Sequence, residues 1–391
     1  MKILSVNAGS SSLKFQLYEM PDAKVLISGL MERIGIGNSF YTIKINGEKI
    51  KKELELENHG QAFEVLVEEL KANKVVYQMD EIKGIGHRVV QGGDYFDKTV
   101  IIDDEVLSKI EELSSLAPLH NPAAITGIKA AKEVFKDAVQ TAVFDTAFHQ
   151  SMPKENYLYA VPMSWYENYK VRRYGAHGTS HKFVAQRMNE ILGREDTKLI
   201  TCHIGNGASI SAVLNGKCIN TSMGLTPNAG LIMGTRCGDI DASIIPYIME
   251  KTGMTTKQID NAINKESGLL AISEKSSDSR DIEDGIASGD EACILAQKMY
   301  VRRIVDYIAK YYVEMNGCDA IVFTAGIGEK SIDTRRDVIN ELGALGIYLD
   351  EEANNVKSEE RLISTKDSKV ECWIVPTDEE LMIAKDTFEL I

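Results

Sequence analysis

The sequence predicts an α/β fold class made of two related halves. Its 391 residues are enough for two domains, each with a core of its own. Residues 2–17 and 198–217 share one pattern, in which an apolar strand, a turn of small residues and a second strand follow each other. Elsewhere apolar strands alternate with amphipathic helices, which is typical of an α/β sheet. A hairpin that recurs after about 200 residues indicates that one half repeats the other.

In the first half, turn and cap signals define the expected elements. Asn46 and Gly47 interrupt an alternating stretch, which is a strong signal for a two-residue β-hairpin. Asn121 precedes Pro122, so we expect Asn121 to be a helix N-cap. The predicted strands are 3–6, 13–17, a hairpin over 41–56, 81–90 and 138–144, and the predicted helices are 61–72, a helix capped by Asp103 or Asp104 and ending at 113, and one from 122 to 135.

In the second half, predicted strands and helices alternate in the same way. Ser180 is expected to cap a helix, and the Gly/Pro-rich segment 224–240 is long for a loop, which favours a functional role. The predicted strands are 199–204, 210–214 and 319–324, a Gly-rich turn is predicted at 325–329, and the predicted helices are 180–192, 290–315, one starting near 331, and 378–390.

Composition excludes several classes of partner. The net charge of −14 argues against a nucleic-acid surface and against an anionic membrane. No run reaches the ~18 apolar residues of a membrane span. The six cysteines have no metal-ligand spacing, so we expect free thiols and a cytoplasmic protein. Because the net charge is negative, an anionic substrate must be bound by local arginines.

Two familiar nucleotide motifs are absent. There is no Walker A pattern, which disfavours a P-loop kinase. Gly326 and Gly328 lack the third glycine of a dinucleotide fingerprint, which disfavours a Rossmann dehydrogenase. A strand that ends in such a turn can still hold the flat face of adenosine, although an ordinary βα turn looks the same.

Three side chains in Gly-rich loops are candidates for chemistry. Arg88 and Arg236 could grip a carboxylate or phosphate in a planar bidentate manner, the alternative being a structural salt bridge. His177 could donate to a transferring phosphoryl group, the alternative being a structural histidine. Backbone N–H groups and hydroxyls of the first turn, 7–12 with Ser10 and Ser12, suit phosphate oxygens. Asp145 follows a buried strand, where α/β proteins bind ligands.

Six ordered motifs closely resemble the acetate kinase family. They are 7–15 (NAGSSSLKF), 86–90 (GHRVV), 177–181 (HGTSH), 233–236 (MGTR), 238–241 (GDID) and 379–381 (EEL). The resemblance covers the whole chain. It implies two duplicated actin-like (ribonuclease H-like) domains with an interdomain cleft, as in the actin, sugar kinase and Hsp70 superfamily. The first domain would be 1–150, with helix 380–391 packing back on it, and the second, 151–379, would bind nucleotide and form a homodimer.

The same resemblance implies an activity and a set of roles. The family makes acetyl phosphate and ADP from acetate and ATP, reversibly, with Mg²⁺ and with Mn²⁺ as an alternative metal. Catalytic positions would be Asp145, His177 and Arg236; metal-site residues Asn7 and Glu379; substrate residues Arg88, Val90, Leu119, Ala176 and Pro227; and nucleotide residues Lys14, His203, Ile204, Gly205, Asn206, Gly207, Asp278, Ser279, Arg280, Gly326, Ile327, Gly328, Glu329 and Lys330.

The sequence also departs from the family pattern. Ala176 stands where the family usually has Phe, so we expect a wider acyl pocket that accepts propionate or butyrate. Lys330 replaces Asn beside the nucleotide, which leaves the choice of phosphate donor open. Two rival hypotheses remain: a propionate kinase of the same family, and a non-catalytic actin-like module that binds nucleotide.

Overall fold

The computed structural model describes residues 1–118 and 120–391, and the chain divides into two units. Unit 1 comprises Met1–Gln150 with Asp378–Ile391, and unit 2 comprises Ser151–Thr377. The strands are β1 Lys2–Gly9, β2 Ser12–Glu19, β3 Lys24–Glu32, β4 Phe40–Ile45, β5 Glu48–Glu53, β6 Ile82–Val89, β7 Val100–Ile101, β8 Val139–Phe144, β9 Lys198–Ile204, β10 Ala208–Leu214, β11 Lys217–Thr221, β12 Ala320–Thr324, β13 Arg361–Leu362 and β14 Glu371–Ile374.

The helices alternate with these strands. They are α1 His59–Ala72, α2 Asp104–Glu112, α3 Asn121–Val134, α4 Lys154–Tyr157, α5 Met163–Tyr169, α6 Gly178–Leu192, α7 Ile244–Thr252, α8 Thr256–Lys265, α9 Gly268–Ser273, α10 Ser279–Ala287, α11 Glu291–Glu314, α12 Ala325–Lys330, α13 Ile332–Asn340, α14 Glu351–Asn354 and α15 Glu379–Phe388. In the described part of the chain no helix is long and apolar enough to cross a membrane.

Both units contain the same sheet topology. Unit 1 has the strand order β5-β4-β3-β2-β1-β6-β8-β7, and unit 2 has β11-β10-β9-β12-β14-β13. In each, three antiparallel strands are followed by two parallel ones and an antiparallel edge strand. The sheet of unit 1 differs only in having two additional strands, β4 and β5, at one edge. This repeated order confirms the predicted α/β fold of two duplicated actin-like domains.

Each sheet carries its own apolar core. Leu4, Val6 and Phe15 of the first hairpin are buried in unit 1 against helix α1. Ile200, Cys202 and Ile210 of the second hairpin are buried in unit 2, where helix α11 supplies much of the covering layer. The apolar side chains of both hairpins therefore stabilise the cores. The small residues between the strands do not belong to these cores and are candidates for ligand binding.

Helix α15 lies close against strand β6 in unit 1. A Cβ on Gly84 would come within 2.2 Å of Ile391 Cδ1, and a Cβ on Gly86 within 2.3 Å of Thr387 Oγ1. Glycine at both positions allows this close approach. Residues 378–391 thus complete the unit that the first 150 residues begin.

Most predicted elements are present, with three corrections at their ends. Asn121 is the first residue of α3 and no N-cap, because its amide accepts from Gln91 N (3.1 Å) and donates to Gln91 O (3.0 Å). Ser180 lies inside α6, which begins after His177, and its hydroxyl bonds to other side chains. The predicted turn at 325–329 is helix α12.

Candidate active site

The first hairpin has a tighter turn than predicted. Strand β1 runs to Gly9, which pairs with Ser12, so only Ser10 and Ser11 form the turn. Asn7 belongs to the strand and lies directly opposite Lys14. The two side chains therefore sit side by side at the end of the hairpin, while Ser10 is exposed at its tip.

A pocket of ≈ 290 Å³ in unit 1 lies beside this hairpin. Five of the predicted residues line it, together with His120, which sequence reasoning missed. The lining residues are Asn7, Ala8, Gly9, Ser12, Lys14, Leu30, Arg88, Val90, His120 and Ala124. Predicted Leu119 lies outside the described residues. The pocket combines two cations with an apolar wall, which suits a small organic anion.

Arg88 and Asp145 form a close ion pair in unit 1. Arg88 Nη2 lies 2.7 Å from Asp145 Oδ2, and Arg88 Nε lies 3.2 Å from both carboxylate oxygens. Asp145 is almost completely buried, and the pKa of Arg88 is raised, chiefly by the Asp145 charge. The bidentate grip expected for a substrate is therefore made on Asp145. Nη1 of Arg88 has no partner in residues 1–118 and 120–391, so that nitrogen is available to a ligand.

The start of helix α15 brings three carboxylates to the same region. Asp378 caps the helix by accepting from Leu381 N (2.9 Å), and Glu380 pairs with Lys14. Burial raises the pKa of Glu379 to about 7, while the charge of Arg88 opposes that shift. Predicted Glu379 thus shares one electrostatic environment with Arg88.

In unit 2, His177 lies directly before α6 and is held by a hydroxyl group of β10 and by a stacked imidazole ring. It has a left-handed backbone conformation (φ 58°), and its Nδ1 lies 2.9 Å from Ser209 Oγ. Its ring stacks on His203 with 4.0 Å between ring centroids. His203 Nδ1 in turn lies 2.8 Å from Ser180 Oγ. His203, one of the predicted nucleotide residues, therefore holds the orientation of the His177 ring by stacking on it.

Arg236 approaches the same point as His177. If Gly207 had a Cβ, it would lie 3.5 Å from Arg236 Nη1 and 3.6 Å from His177 Nε2. Arg236 donates to Pro227 O (3.2 Å), and no carboxylate is paired with it among the residues described. Burial lowers the pKa of Arg236. A partly buried guanidinium whose partner is a neutral carbonyl is suited to binding an anion.

A second pocket of ≈ 560 Å³ lies in unit 2 and includes Asn206 from the turn between β9 and β10. It is lined by Asn206, Ser277, Asp278, Ser279, Arg280, Glu283, Gly326, Ile327, Lys330, Ser331 and Lys357. Seven of these were predicted nucleotide residues. Asp278 and Arg280 pair with each other, which lowers the pKa of Asp278 to about 2.

Residues outside the predicted set support this second pocket. Arg335 is fully buried and donates to Gly328 O (3.0 Å) and Val356 O (2.9 Å), which fixes the segment before Lys357. Gly234 N donates to Asn206 O (3.0 Å) and ties the 224–240 loop to the hairpin. Only the folded chain reveals these contacts, because the partners are far apart in sequence.

The remaining predicted residues are not part of the lining of these two pockets. Glu329 accepts from two backbone amides, Ala325 N (2.9 Å) and Thr377 N (3.2 Å). Ala176 and Ile204 are buried in the core of unit 2. Gly205 and Gly207 form the hairpin turn, with Gly205 N donating to Gly207 O (3.2 Å).

The described residues contain no group of three or more His, Cys, Asp or Glu placed to hold a metal ion. Asn7 and Glu379 offer an amide oxygen and a carboxylate. Mg²⁺ commonly takes one or two protein oxygens and completes its shell with water and phosphate oxygens. If these two residues held a metal, their two oxygen donors would fit Mg²⁺ better than zinc, which needs several nitrogen or sulfur ligands.

Comparisons with known proteins agree with one another. A model of the acetokinase family matches residues 2–385. The chain is 54% identical to acetate kinase 2 of Listeria monocytogenes serotype 4b (strain F2365) over 387 residues, 98% of each protein. The crystal structure of Porphyromonas gingivalis acetate kinase is similar at 44% identity and TM-score 0.95, covering 100% of this chain and 99% of that one. A propionate kinase from Francisella tularensis subsp. tularensis SCHU S4 is 43% identical with TM-score 0.95, covering 100% of both chains.

Proposed function

The chain belongs to the acetokinase family, and we propose that it is an acetate kinase, which transfers the γ-phosphoryl group of ATP to acetate and releases acetyl phosphate and ADP. The observation that supports this activity most directly is Arg236, a guanidinium without a carboxylate partner among the described residues, beside His177. Phosphoryl transfer requires positioning and charge neutralisation, and cationic donors supply the second.

We propose that the pocket of unit 1 binds acetate. Arg88 keeps one nitrogen for the carboxylate, and Val90 with Ala124 provides the apolar wall for the methyl group. Acetate, with a pKa near ~4, is already ionised at neutral pH, so its oxygen needs no general base to attack the phosphorus. In this proposal Asp145 orients Arg88. If Asp145→Asn keeps Mg²⁺ affinity and removes a titrating group from the pH–rate profile, the base role is correct instead.

We propose that the pocket of unit 2 binds the nucleotide and that His177 and Arg236 donate to the transferring phosphoryl group. Removal of such a cationic donor costs roughly 10³–10⁵ in rate in related phosphoryl transfers. Asn7 and Glu379 would hold Mg²⁺, and Lys14 would contact a phosphate oxygen. When bound, Mg²⁺ neutralises charge on the phosphate oxygens.

The test is hydroxamate formation from acetate, ATP and hydroxylamine. The wild-type protein should form acetyl hydroxamate, Arg236→Ala should lose at least about a thousandfold in kcat, and Arg302→Ala serves as control because Arg302 is exposed and pairs with Glu341. Domain closure with ATP binding but without product would favour the non-catalytic module.

A propionate kinase is the second candidate. It is supported by the likeness to a protein with that title. One methylene in an apolar pocket changes kcat/KM by only about 10–200-fold, so both acids are expected as substrates.

We also propose a homodimer in the cytoplasm. Ile240, Ile244 and Tyr247, in and just after the long loop of unit 2, are 40, 47 and 59% exposed, which is unusual for apolar side chains so close together. The six cysteines are free thiols, which suits a reducing compartment. Light scattering after size exclusion would give the mass, and a mass near 43.3 kDa would contradict the dimer.

A further inference from the structure

Four side chains of unit 2 form a continuous hydrogen-bonded chain that ends at His177. Thr201 Oγ1 lies 2.7 Å from His181 Nδ1, and His181 Nε2 lies 2.8 Å from Ser209 Oγ. Ser209 Oγ lies 2.9 Å from His177 Nδ1. Thr201, His181 and Ser209 are fully buried. Bulk water therefore does not reach the hydroxyl of Ser209.

The proton count of Ser209 links the two histidines. A hydroxyl has one proton, so Ser209 donates to one ring nitrogen and accepts from the other. If Ser209 donates to His177 Nδ1, the proton of neutral His177 is on Nε2. If it donates to His181 Nε2, the proton of neutral His177 is on Nδ1. Only the first arrangement lets an uncharged His177 donate a hydrogen bond from Nε2.

The contacts of Thr201 favour this first arrangement. Its hydroxyl proton has two acceptors in reach, His181 Nδ1 at 2.7 Å and Ser211 O at 3.5 Å. If Thr201 instead accepted from His181 Nδ1, its own proton would be left with Ser211 O, which at 3.5 Å lies beyond the normal O–H···O distance of about 2.5–3.0 Å. When Thr201 donates to His181 Nδ1, the proton of neutral His181 lies on Nε2 and is donated to Ser209. Ser209 then donates to His177 Nδ1.

The charges around His177 in unit 2 also favour its neutral form. Among the described contacts, Arg236 from the long loop and His203 from β9 face the His177 ring, and His181 from α6 is linked to it through Ser209. Arg236 is a permanent cation without a carboxylate partner among the described residues. A second positive charge on His177 would be repelled by it.

We propose that Ser209 is a positioning residue that holds His177 as the neutral tautomer with its proton on Nε2. His177 then donates a hydrogen bond to the transferring phosphoryl group without first taking up a proton. This inference rests on the proposed function for the identity of the acceptor. It does not require Ser209 to touch a substrate.

The tautomer is measured directly by ¹⁵N NMR of the full-length protein labelled at histidine, without nucleotide. At pH 7.5, His177 Nδ1 should give a pyridine-type signal and Nε2 a pyrrole-type signal, assigned through His177→Gln. The opposite tautomer, or an imidazolium, would overturn the proposal. Because no turnover is involved, this result is independent of whether the protein phosphorylates acetate.

Kinetics provide the second measurement. Ser209→Ala should lower kcat at least about tenfold, since a hydrogen bond of about 1.4 kcal/mol orients the donor, while KM for acetate and ATP stays nearly constant. Ser209→Thr keeps the hydroxyl and should recover most of kcat. Ser211→Ala is the matched control, because Ser211 is equally buried on the same strand and bonds to Thr221 Oγ1 (2.9 Å). Equal losses in Ser209→Ala and Ser211→Ala would refute the positioning role.

Discussion

Gly234→Ala adds one carbon atom beside the pocket of unit 2 proposed for the nucleotide. That atom would lie 1.8 Å from Asn206 Oδ1 and 3.0 Å from Ser277 O, and both residues line the pocket. Nonbonded carbon contacts lie near ~3.5 Å, so the Asn206 amide must move by well over ~1 Å. The backbone of Gly234 needs no left-handed conformation, and the effect is therefore steric.

The size of the effect of Gly234→Ala on nucleotide binding depends on whether the displacement of Asn206 weakens that binding. Overpacking a well-packed site costs about 1–3 kcal/mol. If the displacement of Asn206 falls on nucleotide binding, this corresponds to a rise in KM for ATP of about 5–150-fold. KM for acetate should change little, because the pocket proposed for acetate lies in unit 1 and Asn206 belongs to unit 2.

Steady-state kinetics with ATP and acetate varied separately test this reasoning. Gly343→Ala is the control, because a Cβ there meets no atom within 4 Å. In an Asn206→Ala background the obstructing amide is gone, and Gly234→Ala should then cost much less. An unchanged KM for ATP in Gly234→Ala, or an equal cost in both backgrounds, would refute the reasoning.

Three further predictions concern the ion pair, a buried histidine and the acyl pocket. Asp145→Asn removes the partner of a largely buried guanidinium and should lower the free energy of unfolding by about 3 kcal/mol in urea titrations at pH 7.5; unchanged stability would mean that Arg88 finds another partner. Burial lowers the pKa of His87 to about 4, against about 6.5 in an unfolded chain, so between these pH values the unfolded chain binds one more proton. The free energy of unfolding should therefore fall by up to about 3 kcal/mol from pH 6.5 to 4, and His87→Gln should remove that part of the slope; parallel curves for both proteins would contradict the assignment. Propionate should reach a kcat/KM within about 200-fold of that for acetate, because one methylene in an apolar pocket changes kcat/KM by only about 10–200-fold; a stronger acetate preference would exclude the propionate kinase.

The elements with strong local signals could be predicted from the sequence. Asn46 and Gly47 form the predicted hairpin turn, both with positive φ, because that turn chemistry is intrinsic to the two residues. The helices predicted over 290–315 and from near 331 are α11 and α13; Asp290 caps the first through Ala292 N (2.9 Å), and Ser331 caps the second. Asn121 and Ser180 were wrong as caps, because tertiary partners take up their side chains.

The sequence predicted which residues belong to the candidate site, but it did not predict most of the contacts between them. A motif identified Arg88, and the position after a buried strand identified Asp145, but only the parallel pairing of β6 with β8 brings them together. Arg335 and Ser209 carry no local signal, since their roles depend on carbonyls and imidazoles supplied by distant segments. The roles of the individual site residues stay predictions.

The close packing of helix α15 on β6 has a consequence for biosynthesis. A ribosome releases residues 1–150 long before residues 378–391, so the nascent first unit waits for its last helix while the second unit is being made. During that interval the face of β6 at Gly84 and Gly86 is uncovered, which exposes apolar surface to chaperones or to aggregation. Truncations at the C-terminus should accordingly damage the N-terminal half first, and an independently stable version of that half would need the distant helix grafted back through a linker.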